Sequence, residues 1–451
     1  MTKVITYGTF DLLHRGHINL LRRARSLGDY LIVGVTSENY DRYRGKMNVQ
    51  QPLMERIENV RALGLADEIV VEEYEGQKID DILRLGVDVF TIGSDWVGRF
   101  DYLKEYCKVV YLERTKGISS TELRDRQHPL VRLGVVGSGR IANRFIPESK
   151  FVSGVIVEGV FNPHINSAQN FAQKHELAFY TDDYDDFLER VNAVYIASPH
   201  ETHYRYAERA LLAGRHVLCE KPMVLTAAGA DKLFALARER GLILMEAIKT
   251  AYCLGFQRMV SCAKSGRIGR IVSVDAAFTK LSPAHFREMQ NDGAGGSMTE
   301  LATYPLTAIY KLLGADYRQV RFQSYFGQRN GVDLFTQVNL LYENAMATAK
   351  VGLGVKSEGS LVVSGTRGYI YVPAPWWKTE YFELRYENPD EVEKNFYKFS
   401  GDGLRYELTE FLSRITQGTM DDAACELSRN IAKTMEAYLC DKEAQACLKS
   451  C

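Results

Sequence analysis

Short apolar runs alternate with longer stretches whose apolar residues recur at helical spacing, and this alternation fills the first 250 or so residues. Between residues 1 and 126 the pattern predicts strands at 3–7, 30–35, 69–72, 88–92 and 109–111, with helices at 17–27, 53–63, 77–85 and 119–126. Such alternation predicts a parallel sheet covered by helices. The polar run Asp125-Arg126-Gln127-His128-Pro129 breaks it, which places a short linker at 127–130. A second alternation follows, with strands at 131–136, 155–160, 193–197, 216–219 and 242–246 and helices near 140–148, 166–175, 201–213 and 226–240. No sequence repeat relates the two halves. After about residue 250 the texture changes. Strands at 271–280, 319–328, 333–341, 345–353 and 359–364 read as an open sheet, with helices at 256–265, 298–313, 405–416 and 421–441. The expected fold class is α/β: two Rossmann-like domains (1–126 and 131–250), then an α+β domain (251–451) with an open, mostly antiparallel sheet.

Composition narrows the partners. The 451 residues are 46% hydrophobic and 25% charged, enough for two or three cored domains. A net charge of −1, with Lys and Arg scattered, argues against nucleic acid or an anionic membrane as partner. The eight cysteines form no CxxC pair and no Cys/His set with zinc spacing, so reduced, mostly buried thiols are expected and no protein metal site. The chain opens directly into a strand, without a signal-peptide pattern, and no apolar run approaches the ~20 residues that span a bilayer. A soluble cytoplasmic protein without membrane insertion is expected.

The candidate chemistry sits at two strand-to-helix turns. At the first, Gly8-Thr9-Phe10-Asp11-Leu12-Leu13-His14-Arg15-Gly16-His17 puts two imidazoles on one side of a helix start. Free N–H groups and the positive end of the helix dipole favour phosphate there. Asp11 reads as an N-cap rather than a metal ligand, and Trp96 as packing. Further on, Arg114-Thr115-Lys116-Gly117-Ile118-Ser119-Ser120-Thr121 follows a strand and opens a helix, with Ser119 and Glu122 at capping-box spacing. Together with Gly93-Ser94-Asp95-Trp96 and the basic loop at Lys46, these motifs resemble the glycerol-3-phosphate cytidylyltransferase family over residues 1–126. The resemblance implies transfer of a cytidylyl group from CTP, with Mg²⁺, to an alcohol phosphate. It implies that His14 and His17 contact the CTP phosphates and that Lys46 and Arg114 stabilise the transition state. Ser119, Ser120 and Thr121 would bind triphosphate, and Gly8, Thr9 and Phe10 would line the nucleotide pocket. An adenylyl-transferring reading stays open, because the wider superfamily does both.

At the second turn, Gly137-Ser138-Gly139-Arg140-Ile141-Ala142 follows an apolar strand and opens a helix, as a dinucleotide fold requires. The next strand ends at Asn162 where an NAD-specific fold carries an acid, so no anion opposes a 2′-phosphate, and His164 or Arg140 could help bind one; NADPH is favoured over NADH. Downstream stand Ser198-Pro199-His200-Glu201-Thr202-His203 and Cys219-Glu220-Lys221-Pro222. These resemble the Gfo/Idh/MocA oxidoreductase family over about 130–451. The resemblance implies hydride transfer between NAD(P) and a sugar or polyol carbon, with Lys221 as the catalytic lysine; partial desolvation would bring its titration toward neutral pH. Gly137, Gly139, Arg140, Ile141, Asn162, Ser198, Pro199, His203 and Glu220 fall at cofactor-binding positions. Glu300 occupies the family's Asp position and Tyr304 its proton-donor position, on one face of a single helix. His200 is open between a ligand contact and a helix cap. The two resemblances imply a bifunctional maker of a CDP-polyol for a surface polysaccharide, from CTP and a sugar or polyol phosphate, with dimers or tetramers expected. Glu300 in place of Asp keeps open an alternative, a C-terminal part without chemistry that serves as an assembly platform or cofactor sensor.

Overall fold

A computed structural model describes residues 1–44, 49, 51–113, 130–290, 293–327, 331–440 and 446–449. The chain forms two compact units, Met1–Leu130 with Phe151–Gly154, and Val131–Lys150 with Val155–Cys451. The expected helix at 119–126 and most of the expected linker lie outside the described residues.

In the first unit the elements run β1 (Lys3–Gly8), α1 (Arg15–Arg25), β2 (Tyr30–Thr36), α2 (Glu38–Tyr43), α3 (Leu53–Ala62), β3 (Glu68–Glu72), α4 (Gln77–Leu85), β4 (Val89–Gly93) and β5 (Lys108–Leu112). The sheet order is β3-β2-β1-β4-β5 and every pairing is parallel. Successive residues feed opposite faces, as a pleated strand demands. Val4 and Leu31 pack with Phe10 and Leu21 on one side, while Ile5 and Ile32 pack with Tyr7 and Phe90 on the other. Strand order reverses between β1 and β4, which opens a crevice at their carboxyl ends, Gly8 and Gly93.

The second unit begins with β6 (Val131–Val136), α5 (Arg140–Ser149), β7 (Val155–Phe161), α6 (Ile165–His175), β8 (Phe179–Thr181), α7 (Tyr184–Arg190), β9 (Ala193–Ile196), α8 (His200–Leu212), β10 (His216–Glu220), α9 (Ala227–Glu239) and β11 (Leu244–Ala247). These six strands are all parallel, in the order β11-β10-β9-β6-β7-β8. There follow α10 (Lys249–Tyr252), α11 (Leu254–Lys264), β12 (Ile271–Thr279), α12 (Ser297–Leu301), α13 (Thr303–Leu313), β13 (Gln319–Phe326), β14 (Asp333–Leu341), β15 (Met346–Gly352), β16 (Leu361–Gly365), β17 (Gly368–Val372), β18 (Tyr381–Tyr386), β19 (Val392–Phe396), α14 (Leu404–Gln417), α15 (Asp422–Cys440) and β20 (Ala446–Lys449). The nine-stranded sheet runs β19-β18-β17-β16-β12-β15-β14-β13-β20, antiparallel except for β12·β15 and β13·β20. Fold class and sheet types agree with the sequence reading.

The single helix expected at 298–313 is instead two, α12 and α13, meeting at Ala302. Pro305 explains the break. It has no N–H to offer the carbonyl of Leu301, and its ring would collide with that carbonyl in a continuous helix. Strands β8, β17, β18 and β19 and the helix α7 were not legible in the pattern. In β19, Val-Glu-Lys-Asn-Phe lies at the sheet edge with Phe396 exposed, so burial leaves little apolar signature there.

Candidate active sites

The first site grows from the loop between β1 and α1. His14 is the N-cap of α1, and its Nδ1 accepts the Gly16 N–H at 3.0 Å. Asp11, expected as the cap, is not; its carboxylate accepts the Gln51 N–H at 3.0 Å while Gln51 Oε1 accepts the Leu12 N–H at 2.8 Å. The capping bond fixes the neutral His14 tautomer with its proton on Nε2, the donor that an oxyanion needs. His17, one turn on, stacks its ring on His14 with centroids 3.9 Å apart, and Phe10 meets it edge-on at 5.5 Å. No acidic residue occupies the first turn of α1, so nothing on that turn opposes an anion at the helix N-terminus.

This loop is held against backbone strain. Phe10 and Leu12 are non-glycine residues with φ of 51° and 46°. Each such conformation costs about 1–3 kcal/mol and survives only where neighbours over-determine it. The neighbours here are buried and polar. Arg56, fully buried, donates from Nη1 to the carbonyls of Thr9 (2.7 Å) and Thr36 (2.8 Å) and from Nε to that of Gln51 (2.9 Å). Asp41, also fully buried, faces Arg56 at 3.6 Å and accepts the Thr9 hydroxyl at 2.8 Å. Phe10 is 1% exposed with its ring in the core, so this segment presents backbone rather than the Thr9 and Phe10 side chains. Gly8 sits so close to that ring that a Cβ would lie 3.0 Å from it. Neither Arg56 nor Asp41 was singled out from sequence. Their only signal is a charged residue inside an apolar pattern, Arg56 beside Ile57. Trp96 packs beside Phe100, at 5.8 Å. Lys46, Arg114, Ser119, Ser120 and Thr121 lie outside the described residues.

The second site is a cavity of about 930 Å³ between the parallel sheet and the nine-stranded domain of the second unit. Its cofactor end is the turn after β6. Gly137 has φ +99°, and a Cβ there would lie 2.8 Å from the Ala197 carbonyl oxygen, so only glycine fits. A Cβ on Gly139 would meet nothing within 4 Å, which leaves the backbone of the turn open to a pyrophosphate. Ala142 is fully buried against the sheet. These features fit a dinucleotide, with Gly137, Gly139 and Ile141 in its cradle. Asn162 stands at the end of β7, donating to Ser138 Oγ at 2.9 Å and accepting the His164 N–H at 2.9 Å. Arg140 lies over the Phe286 ring at 4.1 Å and donates to both Glu288 oxygens, at 2.7 and 2.8 Å. His203 is fully buried, its two ring nitrogens 2.9 Å from the Pro222 carbonyl and 2.8 Å from that of Ser198. It ties the loop after β9 to the loop after β10 and positions both; burial holds its pKa down to about 4. Ser198 Oγ accepts from the Thr202 hydroxyl at 2.7 Å, and Pro199 is the residue before α8.

At the other end, Lys221 follows β10 and precedes a cis peptide to Pro222. Its ammonium donates to the Glu300 carbonyl at 3.0 Å and to Glu300 Oε2 at 3.4 Å, while Glu300 Oε1 meets His200 Nε2 at 3.1 Å. One carboxylate thus joins the lysine to an imidazole. Burial works against the Lys221 ammonium, but Glu300, Tyr304 and Glu220 outweigh it, so its pKa is raised. This corrects the expectation of a lysine brought toward neutral pH: a buried lysine shifts down only without a counter-charge. Burial likewise opposes the Glu300 carboxylate, yet Lys221 and the His200 hydrogen bond hold it well below the usual range. Tyr304 lies with its ring 5.9 Å from the Lys221 ammonium; burial raises its phenol, and Lys221 works against that. Glu220 accepts the Tyr195 hydroxyl at 2.6 Å. The structure adds Glu407, unremarked in the sequence. It is fully buried on the cavity wall, and burial with Glu220 pushes its pKa well up.

With this geometry in place, similarity to known proteins becomes decisive. A cytidylyltransferase-like profile matches residues 5–126, and the glycerol-3-phosphate cytidylyltransferase of Bacillus spizizenii is 48% identical over 124 residues, 28% of this chain and 95% of the relative. A profile for the oxidoreductase family with NAD-binding Rossmann fold matches 131–248, and the Gfo/Idh/MocA C-terminal domain matches 256–371. The chain belongs to the cytidylyltransferase and Gfo/Idh/MocA oxidoreductase families. It is a bifunctional enzyme, a cytidylyltransferase followed by an NAD(P)-dependent oxidoreductase, and its second part is similar to sugar-nucleotide ketoreductases. A dTDP-3,4-didehydro-2,6-dideoxy-α-D-glucose 3-reductase of Streptomyces antibioticus is 35% identical over 198 residues, 42% of this chain and 58% of the relative. The solved 3-ketoreductase of Actinomadura kijaniata, in complex with NADP and TDP-benzene, superposes with a TM-score of 0.63 at 25% identity, covering 68% of this chain and 96% of that one. Among the described residues no helix is long and apolar enough to cross a membrane.

Proposed function

We propose that this enzyme makes a CDP-activated polyol: the second unit reduces a keto-sugar phosphate, or its CDP derivative, and the first joins the alditol phosphate to CTP. The observation that carries the reading is the pairing, in one chain, of the stacked His14/His17 cradle with the Lys221–Glu300–Tyr304 cavity. An alcohol phosphate is what a cytidylyltransferase consumes, and carbonyl reduction makes alcohols. Surface polysaccharide synthesis is the natural destination of such a product, and both CTP and NADPH are cytoplasmic substrates.

In the first unit, a phosphate oxygen of the acceptor attacks the α-phosphorus of CTP, one P–O bond forms, and the bond to pyrophosphate breaks. Catalysis there is positioning and charge stabilisation. The N-terminus of α1 and the His14 Nε2–H receive the charge that builds on the phosphate oxygens; Lys46, Arg114 and Ser119–Thr121, which lie outside the described residues, are the further phosphate-binding groups that the family resemblance assigns. In this reading Mg²⁺ enters with the nucleotide phosphates. In the second unit, a bound NADPH supplies a hydride to the carbonyl carbon. The Lys221 ammonium, kept charged by Glu300, stabilises the developing alkoxide, and Tyr304 hands it a proton. Asn162 supports NADPH over NADH, since an amide does not repel a 2′-phosphate.

The test is incubation with CTP, Mg²⁺, NADPH and a panel of ketopentose, ketohexose and triose phosphates, with product mass as readout. The reading expects CDP-polyol, abolished by Lys221→Ala, while that variant still releases pyrophosphate from CTP when given the alditol phosphate. Absence of Lys221-dependent NAD(P)H oxidation with every ketose, with and without CTP, would favour an inert platform instead.

A further inference from the structure

Among the described residues seven cationic side chains line the cavity of the second unit, and six are engaged. Arg140 pairs with Glu288 and Arg144 with Asp402, at 2.7 and 2.6 Å. Lys221 is held by Glu300, and Lys249 donates to the Asp402 carbonyl at 2.8 Å. Arg287 pairs with Glu201, and Lys378 lies 3.7 Å from Asp402. Lys280 is different. Among the described residues its ammonium has no hydrogen-bond partner and no carboxylate within ion-pair distance, although its backbone N–H is pinned to the Gly352 carbonyl at 2.9 Å.

Its neighbourhood is organised. Lys280 follows β12 directly, two positions after Phe278, and alternation along an extended chain puts both toward the cavity. Phe278 stacks face to face on Trp377, with centroids 3.7 Å apart and planes 8° apart, and meets the Tyr304 ring at 5.1 Å. Those rings form an apolar shelf beside the reacting groups, suited to the carbon face of a sugar. Burial draws the Lys280 ammonium pKa down, and Glu300 opposes this only in part. Such a group gains from an incoming anion.

We propose that Lys280 is the phosphoryl-binding residue of the reductase site, taking the phosphate carried by the ketose while its carbon skeleton lies on the Phe278/Trp377 shelf and its carbonyl faces Lys221 and Tyr304. This rests on the second unit acting as a ketose reductase, and it deepens that reading by stating what end of the substrate is recognised and by which atom. A ketose monophosphate and a CDP-linked ketose share the chemistry, and both serve as arms of the test.

Two measurements on the full chain decide it. First, NADPH oxidation is compared for phosphorylated and unphosphorylated forms of the same ketose, and for the CDP-linked form, in the native protein and in Lys280→Gln and Lys280→Arg. A hydrogen bond to a charged group corresponds to roughly a 10- to 100-fold change in binding. Lys280→Gln should raise KM for the phosphorylated ketose by about that factor, leave KM for the unphosphorylated ketose and for NADPH unchanged, and leave kcat nearly unchanged; Lys280→Arg should keep the preference. The arm with the larger KM response, monophosphate or CDP-linked, identifies the natural form. A rise in KM for NADPH instead would place Lys280 on the cofactor phosphates and overturn the proposal, as would an equal effect on both ketose forms. Second, acetylation of Lys280 by acetic anhydride is followed by peptide mass spectrometry. Protection by the phosphorylated ketose, but not by its unphosphorylated form, supports the assignment; equal protection, or none, overturns it. This readout needs no turnover, so an inactive reductase and a misassigned lysine give different results.

Discussion

Glu300 is the residue on which the reductase chemistry turns. It touches Lys221 with one carboxyl oxygen and His200 with the other. One carboxylate therefore serves two partners. Removing its charge strands a buried ammonium, whose pKa must fall. Glu300→Gln is expected to move the alkaline limb of the kcat/KM profile for NAD(P)H oxidation to lower pH, because the raised pKa of Lys221 depends first among its neighbours on Glu300. A limb that stays in place would remove Glu300 from this role. The candidate groups themselves were legible as motif residues: His14 and His17 from a spacing of three, Lys221 from its place after an apolar strand. The direction of the Lys221 shift was not, because it depends on a carboxylate 79 positions away in the chain. Asp11 was misread for a related reason. A cap and a loop clasp look alike until the partner, here Gln51, is known.

Among elements, the β1–α1 loop shows what positions a phosphate cradle. Two strained residues are held by a buried guanidinium that collects three carbonyls. Taking the guanidinium away leaves Asp41 charged and buried and those carbonyls unserved. Arg56→Met is expected to cost the first unit about 3–5 kcal/mol, read as a drop in its denaturation midpoint, and to suppress CTP-dependent pyrophosphate release. Unaltered stability would show the clasp to be redundant. Regular elements with strong periodicity, such as α4 at 77–85 and β14 at 333–341, were legible to the residue. The edge strand β19 was not, since it alternates between exposed and half-buried positions only.

Across the second unit, buried acids set a pH dependence that no local motif announces. Glu246 in β11 accepts the Met223 N–H at 2.9 Å, and burial raises its pKa to about 7. A carboxyl group raised in the folded state favours folding when protonated. Its contribution is complete below about pH 4.5, the ordinary value, and is lost as pH climbs through about 7. Glu246→Gln should match the native protein in acid and exceed its stability above neutrality, by an amount on the order of 3 kcal/mol. Urea midpoints of the second unit between pH 4.5 and 8 measure this; parallel curves for the two proteins would refute it. The alternation of strands and helices gave both parallel sheets and their order of appearance. The side-by-side order of strands in the nine-stranded sheet, with β12 beside both β15 and β16, comes from long-range pairing and left no local trace.

The interruption at Ala302 has one more consequence. In an unbroken helix the carbonyl oxygen of Glu300 would belong to the amide of Tyr304; here it is the shortest contact of the Lys221 ammonium. Pro305 withholds an amide from the neighbouring Leu301 carbonyl, and the break that follows leaves the Glu300 carbonyl against the ammonium. Pro305→Ala would return an amide to the Leu301 carbonyl, let the two helices fuse and draw the Glu300 carbonyl into the helical ladder. The expected result is a unit that folds at least as well and reduces its ketone more slowly, with thermal melting and NAD(P)H turnover moving in opposite directions.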